Sequence, residues 1–214
     1  MCRTLVSLQL AAAVALAALH GSAIGVANAP ASISGPRPVR TVTFTVAEPQ
    51  SDGSLAVAQW MVAGANLVRV ERADGTVWIA DLHQGKSMTL LPEPRQAVLR
   101  MNRRQCEVDL CRRIRDIDPF VVDRLPDRRI AGKPAEGFLV RYSETTYHVW
   151  LDAATGERLL AESIATGDDG LHRIEQVESN YRFDVPLDRS LFQLQPPPGY
   201  ALQVHLMDEP PATL

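Results

Sequence analysis

The residues able to do chemistry are thinly spread along this chain, and their spacing excludes more than it supports. Of the five histidines, His20, His83, His148, His172 and His205, none has a second His or a carboxylate at the helical spacing of metal ligands. No Ser sits in a Gly-x-Ser-x-Gly turn, and the glycines occur singly rather than in a phosphate loop. The acidic residues that come close in sequence, Asp168 with Asp169 and Asp123 with Asp127, lie in turn-like segments where Asp bonds its own backbone. The reading is of a protein with no catalytic residue, no metal and no cofactor, and so not an enzyme.

Cysteine chemistry is the exception. Cys2 precedes the N-terminal apolar run, so it cannot be a lipidated anchor, which needs a cysteine directly after such a run. Cys106 and Cys111 lie close together and, in an oxidising compartment, are expected to form a disulfide. The alternative is two separate buried thiols behaving as small apolar groups.

The tryptophans point to binding. Around Trp78, Val77 and Ile79 face one way while Trp78 and Ala80 face the other. Around Trp150, the residues Tyr147, Val149 and Leu151 oppose His148, Trp150 and Asp152. Each strand thus puts a large ring on the face its aliphatic residues avoid. A sheet apolar on both faces must be covered on both, by a lid, by a guest molecule, or by curling around a hollow. Trp60, Met61, Trp78 and Trp150 are the candidate lining of such a hollow. The competing reading is that the segment near Ile114 and the loop from Phe120 to Pro126 pack over these rings as ordinary core.

The elements that must position these residues begin with a segment that is not part of the fold. Residues 1–25 read as a secretion signal: Arg3 supplies the positive end, residues 5–19 the apolar run, and Gly21, Ser22, Ala23 and Gly25 the small residues. The run falls short of the about 20 apolar residues a membrane span needs. Cleavage is expected after Ala23 or Gly25, because Pro30 obstructs a cut after Ala29. The mature protein is therefore expected outside the cytoplasm. Losing Arg3 takes the formal net charge from -3 to -4, and the charges are mixed in sign, which excludes the basic face nucleic acid demands. The basic run Arg103, Arg104, Arg112, Arg113 and Arg115 is interleaved with Glu107, Asp109 and Asp116 and reads as a solvated face.

Residues 26–38, with Pro30, Gly35, Pro36 and Pro38, form a flexible leader, residues 39–204 one β domain, and residues 205–214 a disordered tail. Within the domain the period is two. Val42, Phe44 and Val46 alternate with Thr41, Thr43 and Thr45. Further strands are predicted at 55–62, 67–72, 76–81, 87–91, 96–101, 137–142, 146–152, 158–164 and 171–183, joined by short turns such as Asp74-Gly75 and Gly167-Asp168-Asp169-Gly170. Links this short imply antiparallel neighbours. One helix is predicted, of two or three turns, capped by Asp109 and striped by Leu110, Cys111, Ile114, Ile117 and Val121, ahead of a looser segment reaching Pro126. A Cys106–Cys111 bond confines its start to near Asp109.

The order of these pieces resembles the LolA-like lipoprotein-carrier superfamily and its outer-membrane lipoprotein-sorting relatives, a structural group that also includes a sigma-E regulator. The likeness is carried by three stretches. The first runs from Val68-Arg69-Val70-Glu71 and Asp74-Gly75 through Ile79-Ala80-Asp81 and Gly85-Lys86 to Leu90-Leu91-Pro92. The second runs from Ile130-Ala131-Gly132-Lys133 through Tyr147-His148-Val149-Trp150-Leu151-Asp152 to Thr155-Gly156-Glu157-Arg158-Leu159. The third is Val185-Pro186-Leu187-Asp188 with Leu191-Phe192, Leu194 and Pro197-Pro198-Gly199-Tyr200. The resemblance implies a mainly β (α+β) fold: a curved antiparallel sheet or incomplete barrel of about 9–11 strands, with a short helical lid over an apolar concavity for acyl chains. It implies a non-enzymatic periplasmic protein that binds lipid or lipoprotein. The other role it suggests is a periplasmic regulator or accessory protein that binds an inner-membrane partner in envelope-stress signalling.

Overall fold

The computed structural model of the protein describes residues 40–102, 109–142, 145–166 and 172–207. The signal segment, the leader, Cys106, the turn at 167–170 and the residues after 207 lie outside the described residues.

β1 (Thr41–Pro49) shows how these strands arise. Its β-branched threonines and aliphatic residues alternate, so Val42, Phe44 and Val46 are buried while Thr43 and Thr45 stay half-exposed. Hairpins then carry the chain through β2 (Leu55–Ala63), β3 (Leu67–Arg72), β4 (Val77–Asp81), β5 (Lys86–Leu91) and β6 (Gln96–Asn102). At the β3–β4 turn Gly75 has φ 80, a conformation that costs other residues a Cβ clash. The helix α1 (Leu110–Arg115) follows, then a single 3-10 turn (Asp118–Phe120). A second meander contains β7 (Val121–Ile130), β8 (Lys133–Tyr142), β9 (Thr145–Asp152), β10 (Arg158–Thr166) and β11 (His172–Phe183). After another 3-10 turn (Arg189–Phe192) the chain adds β12 (Ala201–Met207).

The twelve strands of the described residues lie in one sheet, in the order β12-β6-β5-β4-β3-β2-β1-β11-β10-β9-β8-β7. The two meanders meet where β1 pairs with β11. The sheet is open and curved rather than closed into a barrel. Register shifts in the pairings of β7 with β8, β9 with β10, β10 with β11 and β1 with β11 bend it, because a bulge adds local twist.

The ten strands expected from alternation are present, and the structure adds two. β7 has no clean alternation and contains Pro126, which removes a ladder donor; it survives as an edge strand whose register shifts between Leu125 and Arg128. β12 extends past the expected domain end at 204 to Met207, and it pairs parallel with β6, a correction to the expected all-antiparallel order. The helix is shorter than expected, at six residues. Its N-cap is Asp109 as expected, accepting from Arg112 N at 2.8 Å. Pro119 then turns the chain into the 3-10 segment and β7.

Cys111 is a free thiol fully buried on the inner side of α1, donating to Arg40 O at 3.3 Å; Cys106, its expected bridge partner, lies outside the described residues. Burial pushes the thiol pKa up to about 11, so it behaves as a small apolar group rather than as a nucleophile.

Candidate functional site

The sheet's two faces are covered by different elements. On the first, the helix face, α1 sets Leu110, Cys111 and Ile114 against Val42, Phe44 and Val62, and the 3-10 turn sets Phe120 beside Val140 and Tyr142. On the other, the strap face, the segment after β11 brings Leu187, Leu191, Phe192 and Leu194 down on Ile79, Met88, Leu90 and Ala97. Arg69 Nη1 donates to Leu191 O at 2.9 Å and fixes this strap to β3.

Cross-strand register decides which face each expected lining residue occupies. Phe44 opposes Trp60, Trp60 opposes Val70, and Val70 opposes Trp78. The row continues from Trp78 to Thr89 and Val98. At its other end Phe44 stacks on Tyr181 with ring centroids 5.1 Å apart, and on Trp60 at 5.7 Å. Seven residues from six adjacent strands and β11 thus form one largely apolar row on the helix face, broken only by Thr89. Val70 is 1% exposed, whereas Trp60 and Trp78 on either side of it are half-buried. Among the described residues, α1 packs over the β1–β2 end of this row, and no helix packs over its β4–β6 end.

Met61 and Trp150 do not join it. Met61 follows Trp60 in the strand, so it points to the strap face and packs against the cluster of Ile79, Met88 and Phe192. Trp150 is also on the strap face: its neighbour Val149 opposes Ala161, Ala161 opposes Glu178, and Glu178 opposes Val46 of the helix face. Trp150 is 5% exposed. The Arg128 guanidinium lies 3.4 Å from its ring centroid and His148 meets its edge at 5.9 Å. Arg128 is held there by Glu162 at 3.2 Å. These contacts already cover the indole.

The helix face also buries charge. Arg158, 4% exposed, donates to Tyr142 Oη at 3.2 Å and lies 3.7 Å from Glu178, which accepts from Tyr181 Oη. Burial opposes the Arg158 charge, yet Tyr181, Tyr142 and Glu178 together raise its pKa. Burial, seconded by Glu178, raises the Tyr181 pKa well above the usual phenol value. Tyr142 donates in turn to Arg113 O at 3.3 Å, tying the network to α1. Such a paired, hydrogen-bonded set fixes the position of α1 on the sheet.

Two further features were not singled out by residue type. A cavity of about 360 Å³ lies between the strap and the sheet, lined by Phe192, Leu194, Leu99 and Met101 with Asp81 and Lys86. Asp81 is committed to structure there, accepting from Asn66 Nδ2 at 2.6 Å and from Gln84 N and Nε2 at 3.0 and 2.7 Å. The second feature is β12, whose Leu202, Val204 and Leu206 are exposed; the alternation of residues 201–207 was the sequence signal for it. No group of three or more metal-ligating side chains occurs among the described residues.

No protein-family model matches the chain, and no curated protein matches it. It is similar to several solved structures. An outer-membrane lipoprotein-sorting protein domain from Vibrio parahaemolyticus aligns at 12% identity and a TM-score of 0.34, over 72% of this chain and 88% of that one. A LolA superfamily protein from Nitrosomonas europaea aligns at 10% identity and a TM-score of 0.33, over 74% of this chain and 91% of that one. A DUF1329 family protein from Desulfovibrio piger aligns at 13% identity and a TM-score of 0.37, over 74% and 91% respectively.

Proposed function

We propose that the protein binds the acyl chains of a lipid or lipoprotein in the periplasm, without catalysis, along the apolar row of the helix face. The observation that carries this reading is the pair of half-buried indoles, Trp60 and Trp78, flanking Val70 on a largely apolar row that runs out from under α1. A methylene chain laid on such a row gains about 0.8 kcal/mol for each group it buries. About ten methylenes therefore correspond, before the cost of immobilising the chain, to the roughly 8 kcal/mol of micromolar binding. The helix supplies the short lid that ends the row, and the Arg158–Glu178–Tyr181 network holds that lid in place.

Native mass spectrometry of protein recovered from the cell envelope without detergent is expected to show a bound lipid. The delipidated protein is expected to bind a fluorescent fatty acid, with Trp78→Ala weakening binding about tenfold, or about 1.4 kcal/mol. Protein that carries no lipid and fails to take up the probe rules the reading out.

A further inference from the structure

The sheet ends in two very different edges. β7 is guarded: it carries Asp123, Arg124, Asp127, Arg128 and Arg129, contains Pro126, and shifts register twice against β8. Those are the devices by which natural sheets refuse further pairing. β12, residues Ala-Leu-Gln-Val-His-Leu-Met, has no Asp, Glu, Lys, Arg or Pro, and it runs in unbroken register beside β6. Its outer edge has no strand partner among the described residues. Leu202, Val204 and Leu206 stand on one face of it and are 49%, 52% and 71% exposed.

The pattern is its own complement. Reversing the segment about Val204 sets Val204 opposite Val204, Leu202 opposite Leu206, and Gln203 opposite His205. A two-fold axis perpendicular to the sheet keeps each apolar side chain on the same face as its partner's. Self-pairing brings no formal charges together at neutral pH, and an acidic or basic partner strand would find no counter-charge here. We propose that β12 pairs antiparallel with β12 of a second copy of this chain about an axis at Val204, joining two sheets into one through the exposed Leu-x-Val-x-Leu stripe. This proposal does not rest on lipid binding.

The test is the oligomeric state of the exported chain by sedimentation equilibrium from micromolar to hundred-micromolar concentration, with circular dichroism of each variant as the check on folding. The wild type is expected to dimerise, and V204E, which sets two carboxylates face to face, to weaken the dimer at least tenfold while keeping its spectrum and melting point. Antiparallel self-pairing puts the two Val204 Cα atoms about 4.5–5.5 Å apart, within disulfide reach, and the two Gln203 Cα atoms about 8 Å apart, beyond it. In a C106S background, under mild oxidation, V204C should therefore form a covalent dimer that neither Q203C nor the C106S parent forms. A monomer at every concentration overturns the proposal, as does a dimer indifferent to V204E. A dimer that V204E dissolves but V204C does not bridge overturns the pairing about Val204.

Discussion

Asp81 shows how a single buried carboxylate ties pH to stability in this fold. It is 9% exposed beside the strap-face cavity. Burial pushes its pKa up, but the backbone N–H of Gln84 and the side chains of Asn66 and Gln84 outweigh that and hold it below the ordinary carboxylate value. A carboxylate depressed in the folded state contributes stability that is complete above its unfolded pKa and is lost as pH falls through the folded one. Asp81→Ala is therefore expected to cost about 1–3 kcal/mol at neutral pH. The gap from wild type should narrow once the pH drops below about 4. Urea melts of both proteins across that range check this, and a gap that stays constant or widens at low pH contradicts it. Asp81 and its turn partner Gln84 gave no hint in sequence, since only the fold sets Asn66 against them. The tryptophans illustrate the converse: alternation correctly opposed Trp78 to Ile79 and Trp150 to Val149, but which face of the sheet each pair occupies depends on register across intervening strands. That register puts Trp60 and Trp78 in one row and takes Met61 and Trp150 out of it.

Between β7 and β8 a glycine is required by space rather than by turn geometry. A Cβ on Gly137 in β8 would sit 2.9 Å from Leu125 Cβ, Pro126 O and Trp150 Nε1. Relief would have to come partly from the backbone of β7. Gly137→Ala should therefore destabilise the fold: overpacking costs about 1–3 kcal/mol, more than the roughly 0.4–1 kcal/mol gained from a less flexible unfolded chain. Denaturant melts should show the loss, and tryptophan emission should shift as Trp150 is displaced; an unchanged midpoint would mean that β7 yields freely. The same edge explains a gap in what the sequence disclosed. A strand buried on one face announces itself by alternation, as β1 does, but β7 is a charged edge interrupted by Pro126 and has no such pattern to read. β12 does alternate, and it was hidden only by its place near the end of the chain. The helix cap at Asp109 was legible because a cap is a local hydrogen bond, while α1 already ends at Arg115, ahead of Pro119, which belongs to the 3-10 turn.

At the scale of the whole molecule, a twelve-stranded open sheet has two broad faces to cover and few elements to cover them. The strap answers for the strap face between β2 and β6, and Arg128 with its neighbours answers for Trp150. On the helix face α1 and the 3-10 turn cover the central strands, and the indoles of Trp60 and Trp78 carry the apolar surface outward from there. The architecture was legible from alternation and turn spacing, whereas this division of labour between faces was not, because it depends on how a helix of six residues and a long strap fold back over the sheet.

The most direct test of the proposed acyl-chain site uses fatty acids brominated along the chain, which quench tryptophan emission only on contact. The three tryptophans make the protein its own control, since Trp150 is covered on the opposite face. The account predicts strong quenching in the wild type, retained in Trp150→Phe and largely lost when Trp60 and Trp78 are both changed to Phe. Quenching that vanishes with Trp150→Phe, or that persists without Trp60 and Trp78, would put the chain on the wrong side of the sheet and contradict the account.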